Sequence, residues 1–421
     1  MQSGWRIGSL FKIPLFIDPS WFLIVAWITF RDGLVWQQSH PTWSAWVAYG
    51  AGLVMAILLF GSVLLHELGH SLVAKSKGIE VNSIRLFIFG GVASIEKEPQ
   101  KPADMLQIAI AGPLVSLFLW VALTALLLFI PLPSQPLAVV LGNVAALNFT
   151  LLLFNLIPGL PLDGGQMLKA IVWKFSGNYV TGAHWAAKTG LWLGWLVTLV
   201  GFADVLGLTA QLGLPQIGGI WAILIGWFMR QNAVNADRFT DVQEALLNLA
   251  AKDAMTRSYR VLDAEMNLRQ FAEELVLQTS FTGQYFAASD GRYRGLVFLE
   301  QLQEVERSLW ETTTLRDMAK PLTEIATVNE TTPMVDLIRQ MERESLNRIT
   351  VLTPAGAVAG VIDRADITRA VGEKLGFPIA PAVLQQIRDT GAYPPGLQLG
   401  AIADMMTSLK IIPKATQNNE S

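Results

Sequence analysis

The feature that most constrains the fold of this chain is a set of long runs without a charged residue. Each of four such runs could cross about 30 Å of hydrocarbon as a helix. They cover residues 41–65, 105–131, 136–162 and 205–229. Two weaker candidates, 13–30 and 186–203, each contain one charged residue together with prolines or glycines. We therefore expect a multi-pass α-helical membrane domain of about six transmembrane helices over residues 1–235.

The composition excludes several classes of protein. Hydrophobic residues make up 52% of the chain and charged residues 15%, and the mean hydropathy is +0.40, so an ordinary soluble enzyme is disfavoured. The pI of about 5.9 and the lack of a basic run argue against nucleic acid as a partner. The chain has no Cys and four His, so metal ligands must come from His and carboxylates.

The basic residues predict the orientation, because Lys and Arg accumulate on the cytoplasmic side of membrane proteins. With six helices, nearly all of the basic loop residues fall on one side, and the opposite loops contain only Arg31. These basic residues are Arg6, Lys12, Lys75, Lys77, Arg85, Lys97, Lys101, Lys169, Lys174, Arg230 and Arg238. Both termini are therefore expected in the cytoplasm. The cysteine-free chain, together with the architecture of its second half, further suggests a prokaryotic cell membrane or an internal membrane.

The composition changes to that of a soluble protein soon after Arg230, which places a domain boundary near residue 235. Residues 291–305 resemble residues 356–370, and AKDAM at 251–255 resembles LRDMA at 315–319. This internal repeat predicts two α+β copies, at about 250–306 and 315–372, each with a start motif, a strand, a helix, two strands and a closing helix. Residues 373–421 are expected to form a tail with short helices and a disordered polar end.

The sequence HELGH at residues 66–70 carries the chemistry of the first half. On a helix, His66 and His70 project from one face, close enough to bind one metal ion, and Glu67 stands beside them as an acid/base group. Three polar side chains in an apolar helix are costly unless they are paired. A functional cluster is therefore favoured, and a hydrogen-bonded contact between helices is the alternative.

Two imidazoles leave a tetrahedral ion one protein ligand short. Asp163 is the one acidic residue between Asp104 and Asp204, and it follows the fourth apolar run at the same expected depth as His70. We predict that Asp163 is the third ligand. The alternative is a turn aspartate that precedes Gly164 and Gly165.

The combination of HELGH in a membrane helix with Asn155-x-x-Pro158-x-x-x-x-Asp163-Gly164 resembles the site-2 protease family of intramembrane zinc metalloproteases. The resemblance covers roughly residues 1–230, and the segments 89–92 and 111–113 also resemble parts of that family. It implies that His66, His70 and Asp163 hold Zn²⁺ and that Glu67 is the general base. It further implies that Asn155 donates to the oxyanion, with a hydrogen bond between helices as the alternative role of that residue.

The expected partners are the lipid bilayer and a single-pass membrane protein as substrate, which the family resemblance places in regulated intramembrane proteolysis. Residues 79–95 contain β-branched and aromatic residues and a Gly-Gly break, which favours a hairpin. The edge of this hairpin could add an unwound substrate as a strand. An interfacial loop that only anchors the second helix is the alternative.

The two soluble copies resemble a tandem pair of CBS domains, which implies an adenine nucleotide in the cleft between them. The family's closing pattern is G-x-x-[ST]-x-x-D, in which the hydroxyl contacts phosphate and the Asp contacts ribose. The second copy keeps the acidic residue as Asp366 but has Asp363 where the hydroxyl residue belongs, and the first copy lacks both residues. A structural role, or a homodimer formed through the CBS domains, is therefore the alternative.

The sequence thus predicts a zinc-dependent intramembrane endopeptidase that its CBS pair regulates or scaffolds. The first alternative is a CBS-regulated ion or solute transporter, although residues 1–230 show no internal repeat of the kind that such transporters carry. The second alternative is a non-proteolytic relative of the family, against which the presence of Glu67 argues.

Overall fold

The structure, a computed structural model, describes residues 4–88, 90–130, 134–213, 218–277, 283–394 and 397–408. The chain forms two compact units, of which the first ends at Thr240 and the second begins at Asp241. The polar end of the tail, for which disorder was predicted, lies outside the described residues, as does Phe89.

The first unit consists mainly of helices. Its helices are α1 (Pro19–Ser39), α2 (Ala45–Ser76), α3 (Pro102–Phe129), α4 (Gln135–Asn155), α5 (Asp163–Ser176), α6 (Tyr179–Val205), α7 (Leu208–Gln211) and α8 (Gly219–Leu247), the last of which ends beyond the unit boundary. Within the described residues, four of them are long and apolar enough to cross a membrane: α2, α3, α4 and α6. The predicted membrane domain is confirmed, and the count of about six helices remains approximate.

Two of the predicted helix spans need correction. The apolar run 205–229 is not one helix, because α6 ends at Val205, Gly207 takes the left-handed conformation with φ 72°, and α8 begins only at Gly219. The weaker candidate 13–30 begins with a strand and becomes helical only at Pro19. There Asp18 caps the helix by accepting from the backbone N–H of Ser20 at 3.0 Å.

A four-stranded sheet packs against the helix that carries HELGH. Its strands are β1 (Trp5–Leu10), β2 (Ile13–Ile17), β3 (Val81–Phe87) and β4 (Gly90–Ile95), in the order β1-β2-β3-β4, with β2 and β3 parallel. Ile13 and Ile84 of the sheet are fully buried in one apolar cluster with Leu68, which lies between the two HELGH histidines. This cluster holds the C-terminal part of α2 against the sheet. The predicted hairpin is present as β3 and β4, and β4 is an edge strand.

The second unit contains two copies of one module. The first copy has α9 (Ala251–Ala254), β5 (Tyr259–Asp263), α10 (Leu268–Leu277), β6 (Gln284–Ser289), β7 (Arg292–Val297) and α11 (Leu299–Glu304). The second copy has α12 (Leu315–Met318), β8 (Thr327–Asn329), α13 (Met334–Arg343), β9 (Arg348–Leu352), β10 (Val358–Asp363) and α14 (Arg364–Lys374). The tail helices α15 (Pro381–Thr390) and α16 (Leu399–Ser408) follow. Each copy therefore has the predicted order of strand, helix, two strands and helix.

Each short start helix packs against the other copy. Ala251 of α9 is buried in the core of the second copy, and the N–H of Thr256 donates to the carbonyl of Val361 at 2.9 Å. Conversely, Leu315 of α12 is fully buried in the core of the first copy beside Phe271. Each start motif thus completes the core of the other copy, a contact that the sequence did not predict.

Candidate metal centre

Three of the predicted site residues meet in the interior of the first unit. Nε2 of His66 lies 3.0 Å from Oδ2 of Asp163, and Nε2 of His70 lies 3.3 Å from Oδ1 of the same carboxylate. The two Nε2 atoms are 3.2 Å apart, and one ligand atom from each residue lies within 4.8 Å of the others. Among the described residues, these three form the one cluster of His, Asp and Glu that could hold a metal ion.

The spacing of HELGH explains why the imidazoles converge. His66 and His70 are one helical turn apart on α2, and both are buried, with exposures of 3% and 8%. Asp163 reaches them from the first residue of α5. Asn155, the last residue of α4, places its Nδ2 3.3 Å from Nε2 of His66, so it also lies at the cluster.

Helix α3 lies behind the two imidazoles and fixes their other nitrogens. Nδ1 of His66 is 2.9 Å from Oγ of Ser116, and Nδ1 of His70 is 2.7 Å from the carbonyl oxygen of Ile108. These contacts direct both Nε2 atoms towards Asp163. Sequence reasoning missed Ser116. The available signal was a hydroxyl residue within a long apolar helix, which does not identify the partner of that residue.

Gly112 lies between those two contacts on α3 and makes room for the imidazoles. A Cβ at this position would lie 2.5 Å from Nε2 of His66 and closer still to Nε2 of His70. Real Cβ atoms essentially never approach other atoms so closely, so a larger residue would have to displace the rings. Glycine is therefore required here by contact with the cluster.

Glu67 is half-buried beneath the edge strand β4. A Cβ on Gly91 would lie 2.6 Å from Cγ of Glu67, so the strand backbone lies directly against this side chain. The predicted base and the predicted strand edge are thus neighbours.

The donor set fits zinc. Two imidazole nitrogens and one carboxylate oxygen are the ligands of a catalytic zinc site, which keeps one coordination position open. Both imidazoles have the supporting partners at Nδ1 that zinc ligands ordinarily have. The other two histidines lie elsewhere: His184 contacts Asp237 at 2.7 Å, and His40 stacks on Trp43.

Asp366, the predicted nucleotide contact, is 2% exposed and already has partners within its own unit. Its carboxylate accepts from the N–H of Asp363 at 3.1 Å and from Thr256, and Nη2 of Arg388 on α15 lies 3.4 Å away. The cavity beside it has a volume of about 40 Å³, whereas small-molecule sites typically have roughly 300 Å³ or more. A nucleotide at Asp366 therefore requires Arg388 to move.

Comparison with known proteins adds independent observations. The model of the family described as peptidase family M50 matches residues 54–141 and 132–197, and the CBS domain model matches residues 314–373. A Synechocystis protein named "Putative zinc metalloprotease" is 39% identical over 88% of this chain and 96% of its own length. The zinc metalloprotease of Methanocaldococcus jannaschii is 33% identical over 88% of this chain and 97% of its own length. Among solved structures, the site-2 protease of M. jannaschii matches 56% of this chain and 95% of its own, at 32% identity and a TM-score of 0.40.

Replacing Gly112 by Ala should remove the metal without unfolding α3. Alanine favours a helix over glycine by about 1 kcal/mol, but its Cβ would occupy the space of both Nε2 atoms. We expect zinc content to fall from about one ion per chain to well under half, measured by atomic emission on the purified protein. The matched control is Gly61→Ala on α2, where an added Cβ meets nothing within 4 Å. Full zinc content in the Gly112→Ala variant would contradict this role of Gly112.

Replacing Asp366 by Asn should stabilise the second unit at neutral pH more than at acidic pH. Burial, and next the charge of Asp363, raise the pKa of Asp366 to about 6 from its ordinary 3.8. Between about pH 4 and pH 6, Asp366 therefore keeps its proton in the folded state and loses it in the unfolded state. The folded state of the wild type loses stability as pH rises through this range. Asn cannot ionise, so its advantage over Asp should increase by up to about 3 kcal/mol between pH 4 and pH 7.

The urea dependence of hydrogen exchange in α14 of the full chain measures this difference. The control, Asp317→Asn, should show the opposite trend, because the backbone and hydroxyl of Thr314 lower the pKa of Asp317. A stability advantage of the Asp366→Asn variant that does not change with pH would contradict the assignment.

Proposed function

We propose that this chain, which belongs to peptidase family M50, the site-2 proteases, cleaves a peptide bond in or near the transmembrane helix of a membrane-anchored protein. The chain is a zinc metalloprotease by that membership. The finer assignments of ligands, base, orientation and substrate are our proposals.

The observation that carries the proposal is the meeting of His66, His70 and Asp163 within hydrogen-bonding distance of one another, with two of them on a membrane-spanning helix. Such a cluster in an apolar helix has a large desolvation cost unless a metal ion or another partner offsets it. A hydrogen-bonded contact between helices would not need Glu67 on the same helical turn or Gly112 beneath both rings. The cluster therefore favours catalysis over a purely structural contact.

In the proposed mechanism, His66, His70 and Asp163 hold the zinc ion. When bound, zinc polarises a carbonyl group and lowers the pKa of water in contact with it. Glu67 takes the proton from the attacking water on its carboxylate and later gives it to the leaving amine. The amide of Asn155 donates to the oxyanion, an interaction that can contribute about 3 kcal/mol to transition-state stabilisation.

A peptide bond within a helix is covered and already hydrogen-bonded, so the substrate must unwind before attack. We propose that the unwound segment pairs with β4, whose outer edge is unpaired among the described residues and whose Gly91 lies against Glu67. This arrangement would bring an extended substrate to the base. The alternative, in which the hairpin only anchors α2, predicts no backbone pairing with the substrate.

We propose that the site faces the cytoplasm and that both termini are cytoplasmic, since Lys75 and Lys77 follow His70 at the C-terminal end of α2 and α5, which begins at Asp163, ends near Lys174. The chain has no Cys, so single cysteines report the orientation. Exposed Ser134 precedes α4 and exposed Ser176 ends α5, on opposite sides of the membrane in this topology.

In intact spheroplasts, a membrane-impermeant maleimide should label Ser134→Cys, and it should label Ser176→Cys only after permeabilisation. The reverse pattern would overturn the proposed orientation.

We propose that the CBS pair regulates or scaffolds the protease. An adenine nucleotide at Asp366 remains a prediction, and it would have to displace Arg388 from the carboxylates of Asp363 and Asp366. A homodimer formed through the CBS domains is the alternative use of the second unit. Membership in the protease family argues against the transporter hypothesis.

Replacing Glu67 by Gln should abolish cleavage and leave zinc bound, because the three ligands remain. The loss of a general base typically costs about 10²–10⁴-fold in rate. The measurement compares fragments of single-pass membrane proteins, by quantitative proteomics, in cells that produce the wild-type chain or the Glu67→Gln variant. At least one such protein should be truncated with the wild type and intact with the variant.

The control for this experiment is Asp163→Ala, which should lose both cleavage and zinc. An unchanged fragment pattern between wild type and Glu67→Gln would refute the proteolytic function and favour a non-proteolytic relative.

A further inference from the structure

Helix α3 presents one face to both imidazoles. Ile108, Gly112 and Ser116 are spaced by four residues and therefore lie along one side of the helix. The carbonyl of Ile108 contacts His70, Gly112 leaves room for both rings, and the hydroxyl of Ser116 contacts His66. The supports of the two histidines therefore come from a helix that supplies none of the proposed metal ligands.

The two supports differ chemically. A carbonyl oxygen only accepts, so the contact with Ile108 requires a proton on Nδ1 of His70 and leaves the lone pair of Nε2 for a metal. A hydroxyl group both donates and accepts, so Ser116 can satisfy either tautomer of His66. The orientation of His70 thus depends on the backbone, whereas that of His66 depends on one replaceable side chain.

The buried environment leaves Nδ1 of His66 without a substitute for the Ser116 hydroxyl. Ser116 is fully buried, and the distance of 2.9 Å from Oγ to Nδ1 of His66 is that of a normal hydrogen bond. Water has no access to replace the hydroxyl at this point, so a substitution that removes Oγ leaves Nδ1 of His66 without this partner. A free Nδ1–H in an apolar environment would favour ring rotation or the other tautomer.

We propose that Ser116 is a positioning residue, which holds His66 in the ring orientation that presents Nε2 to the metal. This inference rests on the proposed function, because it takes His66 as a zinc ligand. Ser116 acts through His66 and touches neither the substrate nor the reacting atoms.

The test is the zinc affinity of the full chain in detergent, measured by competition with a chelator of known affinity. Ser116→Ala should raise the dissociation constant of zinc by about 10–100-fold, as the loss of a supporting partner of a ligand typically does. The matched control is Ser71→Ala. Ser71 is also fully buried and adjoins His70 in the sequence, but its hydroxyl has no hydrogen-bond partner among the described residues.

A second measurement reports the hydrogen bond at Nδ1 of His66 without reference to activity. The chain contains only four histidines, so ¹⁵N-labelled imidazole signals can be assigned by single substitutions. In the zinc-loaded protein, Ser116→Ala should shift the Nδ1 signal of His66 and leave that of His70 unchanged. Ser71→Ala should leave both signals as in the wild type.

Equal zinc affinity and equal His66 signals in Ser116→Ala and Ser71→Ala would overturn the inference. A failure of the proposed metal site gives a different result, since His66→Ala and Asp163→Ala would then bind zinc as tightly as the wild type, and a failure of the proteolytic function shows instead as an unchanged fragment pattern in Glu67→Gln. These failures are therefore distinguishable in one series of variants.

Discussion

The meeting of two imidazoles on α2 with one carboxylate at the start of α5 is the interaction on which the arrangement of the first unit depends. Polar side chains in an apolar environment cost several kcal/mol each when they are unpaired. The position of Asp163 therefore couples two helices that are far apart in sequence. A metal ion held by the three side chains would offset that cost.

The sheet and helix α3 each support this cluster through different contacts. The sheet packs against α2 at Leu68, between the histidines, and its edge strand lies against Glu67. Helix α3 approaches closely because Gly112 has no side chain, and it satisfies both Nδ1 atoms. The proposed metal site thus has a supporting element on more than one side, as preorganised sites require.

The sequence predicted those features that local patterns encode. Helical spacing and the cost of burial pointed to His66, Glu67 and His70, and the scarcity of acidic residues pointed to Asp163. Residues 205–229 were predicted wrongly as one helix, because a hydropathy pattern does not reveal the break after Val205. Ser116 and the crossed start motifs were missed for another reason: both depend on contacts between residues far apart in the sequence, and a single sequence shows no pairing of distant positions.

The central claim is that one zinc ion lies between His66, His70 and Asp163. Anomalous diffraction at the zinc absorption edge, from crystals of the full chain, tests it most directly. The account predicts a single strong peak at about 2.0–2.2 Å from Nε2 of both histidines and from a carboxylate oxygen of Asp163. A peak at other residues, or zinc bound in solution with no peak at this cluster, would contradict the account.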